Sequence, residues 1–132
     1  QDFAKAEPLL RECLAIRREK LPPDHWQRFD TMSMLGGALA GQGALLAECD
    51  SAGATAKLEE AEPLLLDGYA GLKDNPNVPK KPDRKREALE RIVKLYDAWN
   101  RIAPGSGYAE KAAEWRARLD AADETPTSGP AP

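Results

Sequence analysis

Apolar side chains recur along this chain every three or four residues, the spacing that gathers them on one face of an α-helix. Five segments carry the pattern, and they are led by Phe3, Phe29, Leu58, Leu89 and Tyr108. No segment alternates apolar and polar residues with the β-branched side chains that are typical of a strand. The pattern therefore predicts an all-α protein with about five amphipathic helices and no sheet.

Proline and glycine separate these predicted helices. The segment 21–24 ends the first helix, and Asp24 lies three residues before Gln27, which offers a capping box for the second. The segments 75–79 and 103–107 mark two later breaks.

Two prolines, Pro8 and Pro63, fall within the helical pattern itself. We place both near the starts of their helices, where a missing N–H costs little because first-turn amides have no intrahelical partner. A helix that begins earlier than this would carry its proline as a kink.

The pentapeptide Ala-Glu-Pro-Leu-Leu occurs at 6–10 and again at 61–65, an offset of 55 residues. Internal repetition over a few tens of residues is the signature of a solenoid. A single helical hairpin leaves its apolar face uncovered, and stacked neighbours cover it. We therefore expect antiparallel helical hairpins stacked into a short solenoid.

The stretch containing Leu35-Gly36, Leu39 and Gly43, followed by Leu58, Ala61 and Leu65, resembles a tetratricopeptide repeat. The Ala-Glu-Pro-Leu-Leu motif makes the stretch similar to the kinesin-light-chain-like variety of this repeat. Similar repeats occur in bacterial proteins, often C-terminal to a serine/threonine kinase domain. The resemblance covers about residues 3–119. It implies an array of about two and a half repeats whose small residue, Ala61 or Ala6, lies where helices cross.

The sequence departs from the family pattern in two places. Fourteen residues separate Gly43 from Leu58 where the family usually has one, so we expect both helices of that hairpin to extend around residues 50–53. The last pair of helices has Ile92-Val93 in place of Leu-Gly. Terminal repeats are commonly atypical, so we expect residues 1–122 to form the C-terminal end of a longer array. Residues 123–132 are expected to be a disordered tail, because little there can offset the entropy of ordering.

The composition of the chain argues against several classes of function. Hydrophobic residues make up 42% of the 132 residues, and 19 basic residues against 22 acidic ones give a net charge of −3. This near-balance argues against general affinity for nucleic acid or an anionic membrane, and no apolar run reaches the length of a membrane span. Cys13 and Cys49 are too few for a disulfide framework, so we expect buried free thiols in a reducing, cytoplasmic setting.

The candidate chemical motifs favour structural interpretations. The glycine-rich segment 36–43 lacks the lysine of a phosphate loop, and close helix packing with a turn glycine explains it better. The basic run 80–86 is interpreted as a solvated loop, with a contact for an acidic partner and, less favoured, for nucleic acid as the alternatives. His25 is expected to cap a helix or lie at the surface. Trp99 and Trp115 are expected in the core, and Trp26 is the best candidate of the three tryptophans for an exposed contact with a ligand.

The sequence shows no pattern that would bring a nucleophile, a base or a set of metal ligands together, and it contains no kinase signature. We therefore predict a chain that is not an enzyme and has no cofactor and no metal.

Together these features of the sequence favour a binding function. We predict a scaffold whose groove, lined by the first helix of each pair, holds a peptide or partner helix. Its predicted partner-binding residues are Arg28, Thr31, Gln42, Arg91 and Lys94. The alternative is a regulatory or substrate-docking C-terminal arm of a bacterial serine/threonine kinase whose catalytic domain lies outside this chain. Because the first helix has an uncovered apolar face, a fragment of this kind is also expected to self-associate.

Overall fold

The structure is a computed structural model that describes residues 2–124. It contains five α-helices and, within the described residues, no strand, which confirms the predicted all-α class. The helices are α1 (Phe3–Lys20), α2 (Trp26–Leu46), α3 (Ser51–Lys73), α4 (Arg84–Ile102) and α5 (Tyr108–Glu124). Of the tail predicted for 123–132, residues 125–132 lie outside the described residues.

Side chains at the helix starts satisfy amides that have no intrahelical partner. Asp2, Asp50 and Asp83 precede α1, α3 and α4, and each carboxylate accepts a hydrogen bond from the backbone N–H three residues on. His25 caps α2, where its Nδ1 accepts from the backbone N–H of Gln27 at 3.1 Å. The capping prediction for His25 is confirmed, and the one for Asp24 is wrong.

Three predicted boundaries need correction. The hairpin between α2 and α3 turns at residues 47–50, so α3 begins at Ser51, within the turn expected at 50–53. This longer α3 places Pro63 at its thirteenth residue rather than near its start, and Pro8 likewise lies inside α1. Residues 123 and 124 belong to α5 rather than to a tail, and Asp123 forms an ion pair with Arg86.

Helix α2 is the centre of the molecule, because α1, α3 and α4 all pack against it. Its contact with α3 is the most extensive, and Leu35 and Leu39 of α2 are almost fully buried. Helix α4 also packs on α3 and on α5. The predicted hairpins are thus present as α2 with α3 and α4 with α5.

Glycines allow α2 and α3 to approach closely. A Cβ on Gly36 would lie 2.7 Å from the Leu65 side chain, and one on Gly43 would lie 2.7 Å from Leu58. The interpretation of the glycine-rich segment as a packing surface is confirmed. Gly43 is not a turn residue, however, because α2 continues to Leu46.

Aromatic stacking attaches α5 to α4. The rings of Trp99 and Tyr108 stack with centroids 4.6 Å apart, and Trp115 meets Tyr69 of α3 edge to face. Trp99 is buried as predicted, whereas Trp115 is half-buried.

The prediction of buried thiols is wrong for Cys49, which is exposed just after the end of α2, and Cys13 is only half-buried. Both cysteines are free.

Candidate binding groove

A groove of about 660 Å³ runs along α2 between α1 and α4, and we call it the α2 groove. Helix α2 forms its floor, α1 one wall and α4 the other. The positions of α2 that face α3 are filled by packing, so the groove uses the face of α2 that no helix covers. This arrangement creates an elongated surface with two chemically different walls.

The floor combines small residues with two exposed apolar side chains. Gly37, Ala38 and Gly41 have little or no side chain, so they leave the groove open above α2. Met34 is 39% exposed and Leu45 is 72% exposed. Leu45 is the most exposed large apolar residue among those described. An apolar surface of this kind is a feature of protein interaction sites.

The α1 wall is apolar and consists of Phe3, Ala6 and Leu10. The Phe3 ring lies over Gly41 so closely that a Cβ there would be 2.5 Å from the ring. Gly41 is therefore the residue that lets the N-terminal end of α1 approach α2. The three wall residues lie three and four positions apart, which places them on one face of α1.

A polar junction next to this wall holds α1 in position. Glu7 accepts hydrogen bonds from Gln42 Nε2 at 2.6 Å and Lys57 Nζ at 3.2 Å, and it pairs with Arg11. Arg11 also reaches Glu60 of α3 at 2.7 Å. The hydrogen bond from Gln42, opposed by burial and reinforced by Arg11 and Lys57, lowers the pKa of Glu7 to about 2.

The α4 wall is charged, and two of its acidic residues have ion-pair partners whereas its basic residues do not have any among the described residues. Its acidic members Glu90 and Asp97 are paired at 2.8 Å with Arg86 and Arg116, leaving Glu87 without an ion pair among the described residues. Its basic members are Arg91, Lys94 and Arg101.

None of these three cations has a carboxylate partner within residues 2–124. Arg91 donates to the Ser33 hydroxyl at 3.0 Å, while Lys94 and Arg101 are exposed. Among the groups of this wall that have no ion pair in the described residues, three cations stand against one carboxylate, Glu87, so the unpaired charge is positive.

The five residues predicted to bind a partner separate into three groups. Arg91 and Lys94 line the α2 groove, so the structure brings these two together. Gln42 is half-buried and donates to Glu7, and Arg28 lines neither of the cavities described here. Thr31 is 1% exposed and accepts a hydrogen bond from Arg17 at 2.7 Å, so the prediction that it faces outward is wrong.

The error at Thr31 has a physical cause. A helical wheel shows which positions of α2 share a face, yet it does not show that α1 covers the face carrying Thr31 and Gln42. Arg101 also lines the groove but was not among the predicted partner-binding residues. It lies seven residues after Lys94 on the same face of α4. That spacing is visible in the sequence and could have indicated Arg101.

A second cavity, of about 680 Å³, lies at the loop end of the hairpins between the α1–α2 and α3–α4 connections. His25, Trp26 and Phe29 contribute rings to it. Trp26 is only half-buried, and the Arg84 guanidinium covers its ring at 4.9 Å. Arg84 in turn pairs with the buried Asp30 at 3.2 Å, so this region mainly joins α2 to α4.

The basic run 80–86 is divided by the fold. Arg84 and Arg86 form ion pairs with Asp30 and Asp123, whereas Lys80, Lys81 and Lys85 have no carboxylate partner among the described residues. The three lysines do not line the α2 groove. They are therefore separate from the cations of the α4 wall.

Two searches of the described residues give negative findings. Residues 2–124 contain no group of three or more His, Cys, Asp or Glu side chains arranged to hold a metal ion. In the same range, none of the helices combines the length and apolar character needed to cross a membrane.

Comparison of this chain with protein-family models, with curated proteins and with solved structures yields no significant match.

Proposed function

We propose that this chain is a tetratricopeptide-repeat-like scaffold that binds a segment of a partner protein in the α2 groove. The observation that carries the proposal is the combination of an apolar floor and α1 wall with an α4 wall whose cations have no carboxylate partners in the part of the chain that the structure describes. The apolar side chains supply contact area, and the cations favour a partner of opposite charge. The partner is therefore an amphipathic segment with apolar residues on one side and carboxylates on the other.

The free, exposed thiol of Cys49 supports a reducing compartment such as the cytoplasm as the site of this binding. The chain's net charge of −3 gives no general attraction for an acidic ligand. Affinity for an acidic segment must therefore depend on local charge in the groove, which makes the proposal testable by charge reversal.

The experiment is a selection of 16-residue peptides from a random display library on the purified protein. We expect enriched sequences to combine apolar residues with Asp or Glu. Their affinities are then measured for Lys94→Glu/Arg101→Glu and for the matched control Lys80→Glu/Lys81→Glu, which has the same net charge but changes the loop outside the groove. Loss of binding only in the groove variant supports the proposal.

Two results would contradict it. One is enrichment of peptides that bind both variants equally well. The other is enrichment of peptides that retain their affinity for the groove variant and lose it in the loop variant, which would move the binding surface to residues 80–86. Circular dichroism of both variants checks that the helical content is unchanged.

A further inference from the structure

The second cavity, which we call the loop cavity, lies where the 21–25 connection between α1 and α2 meets the 74–83 connection between α3 and α4. Its volume of about 680 Å³ is in the range of small-molecule pockets. None of its lining residues also lines the α2 groove. A ligand of the loop cavity is therefore distinct from the partner proposed for the groove.

One side chain ties the two loops of this cavity together. Asn75 Nδ2 donates to the Asp24 carbonyl oxygen at 3.3 Å, and Asn75 Oδ1 accepts from the backbone N–H of Asn77 at 2.9 Å. Pro22 and Pro76, whose rings restrict their φ angles, lie on the two loops and line the same cavity. The walls of the cavity are thus arranged before any ligand binds, which lowers the entropic cost of binding.

The side chains that line the loop cavity give it acidic character. Asp24 and Asp74 line it, whereas no lysine or arginine does. Both aspartates are exposed, and neither has an ion-pair partner within residues 2–124. The positive end of α2 and the negative end of α3 both reach the cavity, and their partial charges are opposite and similar in size. The two carboxylates therefore decide its preference, which is for a cation.

Rings supply the apolar part of the cavity. His25, Trp26 and Phe29 line it, and each is half-buried. Trp26 already contacts one guanidinium, because that of Arg84 lies 4.9 Å from the ring centroid. Arg84 pairs with Asp30 of α2, so its charge does not compensate the two aspartates of the cavity. A guanidinium both packs on aromatic rings and forms paired hydrogen bonds with carboxylates, so it suits the two kinds of group present here.

We infer that the loop cavity binds a guanidinium group carried on an aliphatic stem. The group pairs with the carboxylates of Asp24 and Asp74, and the stem lies against the rings of Trp26 and Phe29. Two sources can supply this chemistry, a free guanidine compound and an arginine side chain of a protein. The site does not depend on the function proposed for the α2 groove.

The test compares butylguanidinium with butylurea, which has the same stem and a planar head group without charge. Binding to the full chain is followed by NMR through the indole N–H signal of Trp26, which is assigned by its loss in Trp26→Phe. We expect butylguanidinium to shift this signal to saturation and butylurea to bind at least about fivefold more weakly, because the urea group cannot pair with the carboxylates as a charge.

The protein side has a matched pair of double variants. Asp24→Asn/Asp74→Asn removes both carboxylates of the cavity, and Glu48→Gln/Asp67→Asn makes the same change in net charge at exposed residues outside it. We expect the cavity variant to weaken butylguanidinium by at least about fivefold and the control to leave its affinity within about twofold. A thermal unfolding midpoint for each variant confirms that both are folded.

Three results would overturn the inference: butylurea that binds as well as butylguanidinium, equal affinity of the two double variants, or no saturable shift of the Trp26 signal. Two blocked tripeptides, Gly-Arg-Gly and its citrulline counterpart, then distinguish the sources. Tighter binding of the arginine peptide than of butylguanidinium, with loss of binding in the citrulline peptide, supports the inference with a protein side chain as the ligand. Equal or weaker binding of the arginine peptide supports it with a free guanidine compound as the ligand.

Discussion

At the scale of single residues, the most informative side chain is Glu7, because three helices meet at its carboxylate. Gln42 of α2, Lys57 of α3 and Arg11 of α1 all donate to it. Hydrogen bonds to a charged group contribute about 1.5–3 kcal/mol each, less where solvent screens them. Glu7 is therefore the residue through which pH acts on the position of the α1 wall.

We expect Glu7→Gln to lower the free energy of unfolding by about 1–2 kcal/mol at pH 6, since the charged acceptor of three donors is lost. The pKa of Glu7 is about 2 in the folded protein against an ordinary value of 4.5. The stabilisation is fully present above pH 4.5 and is lost as pH falls toward 2.

Urea unfolding of both proteins between pH 6 and pH 2 tests this prediction. The difference between them should shrink steadily below pH 4.5, and a constant difference down to pH 2 would contradict it. Glu12→Gln on the same helix serves as the control, because Glu12 is exposed and has no ion pair among the described residues.

A second residue-scale prediction compares two glycines. A Cβ on Gly68 would lie 2.9 Å from the Phe29 carbonyl oxygen and 3.0 Å from the Ser33 nitrogen, both of which are backbone atoms of α2. We expect Gly68→Ala to lower the free energy of unfolding by about 1–3 kcal/mol, because the two helices must separate.

Gly37→Ala is the matched change, since the added carbon meets only the Arg91 side chain, which can move. Its helix propensity gain of about 1 kcal/mol offsets that contact, so we expect stability within about 0.5 kcal/mol of the original protein. Equal effects of the two substitutions in chemical denaturation would show that close approach does not decide stability here.

Sequence reasoning at this scale succeeded where the residue type alone determines the role. The glycine-rich segment 36–43 was predicted to serve close packing because helices that cross need a small side chain on one partner, although Gly43, which was predicted at the turn, lies inside α2. It failed for Thr31 and Cys49, because their burial depends on whether another helix covers that face. Thr31 lies beneath α1, and Cys49 lies in the short turn after α2, where no helix covers it.

At the scale of helices, apolar spacing was sufficient to predict the number of helices and most of their boundaries. The five helices and the long α2–α3 hairpin follow from the three-and-four spacing and from the residues that end each segment. The start of α3 did not follow, because the cap at Asp50 and the residues after it carry few large apolar side chains. Pro63 was therefore placed near a helix start when it lies well inside α3.

This position of Pro63 leads to a helix-scale prediction. Proline lacks the N–H that would bond one turn back, and it is about 3 kcal/mol less favourable than alanine inside a helix. Pro63 is exposed, so its replacement removes little packing. We expect Pro63→Ala to raise the free energy of unfolding by about 1–3 kcal/mol.

Chemical denaturation measures this effect, and Glu59→Ala, one turn earlier at an exposed position of α3, is the control. Glu59→Ala should change stability by less than about 0.5 kcal/mol. A neutral or destabilising Pro63→Ala would mean that the helix has adapted its packing to the proline.

At the scale of the whole molecule, the groove could be predicted only in outline. The sequence indicated that the first helices of the pairs form a surface, and Arg91 and Lys94 were assigned to it. The apolar wall from α1 could not be derived, because it depends on how α1 lies against α2 through the Glu7 junction and the Phe3–Gly41 contact. The groove is thus a property of packing between helices that are distant in sequence.

The same packing predicts how stability is distributed along the chain. The backbone of α1 comes close only to α2, and that of α5 only to α4, whereas α2 is surrounded by three helices. Proteins built from stacked helices open locally where neighbours are fewest. We expect amide hydrogen exchange to be slowest in α2 and α3 and faster by about tenfold or more in α1 and α5.

Exchange mass spectrometry of the full chain tests this prediction, with peptides from each helix compared under the same conditions. Exchange in α1 or α5 as slow as that in α2 would contradict it, because stability would then not follow the number of neighbouring helices. Faster exchange in α1 would mean that the apolar wall of the α2 groove belongs to the part of the described fold that opens most readily, so that binding in the groove and local opening of α1 are coupled.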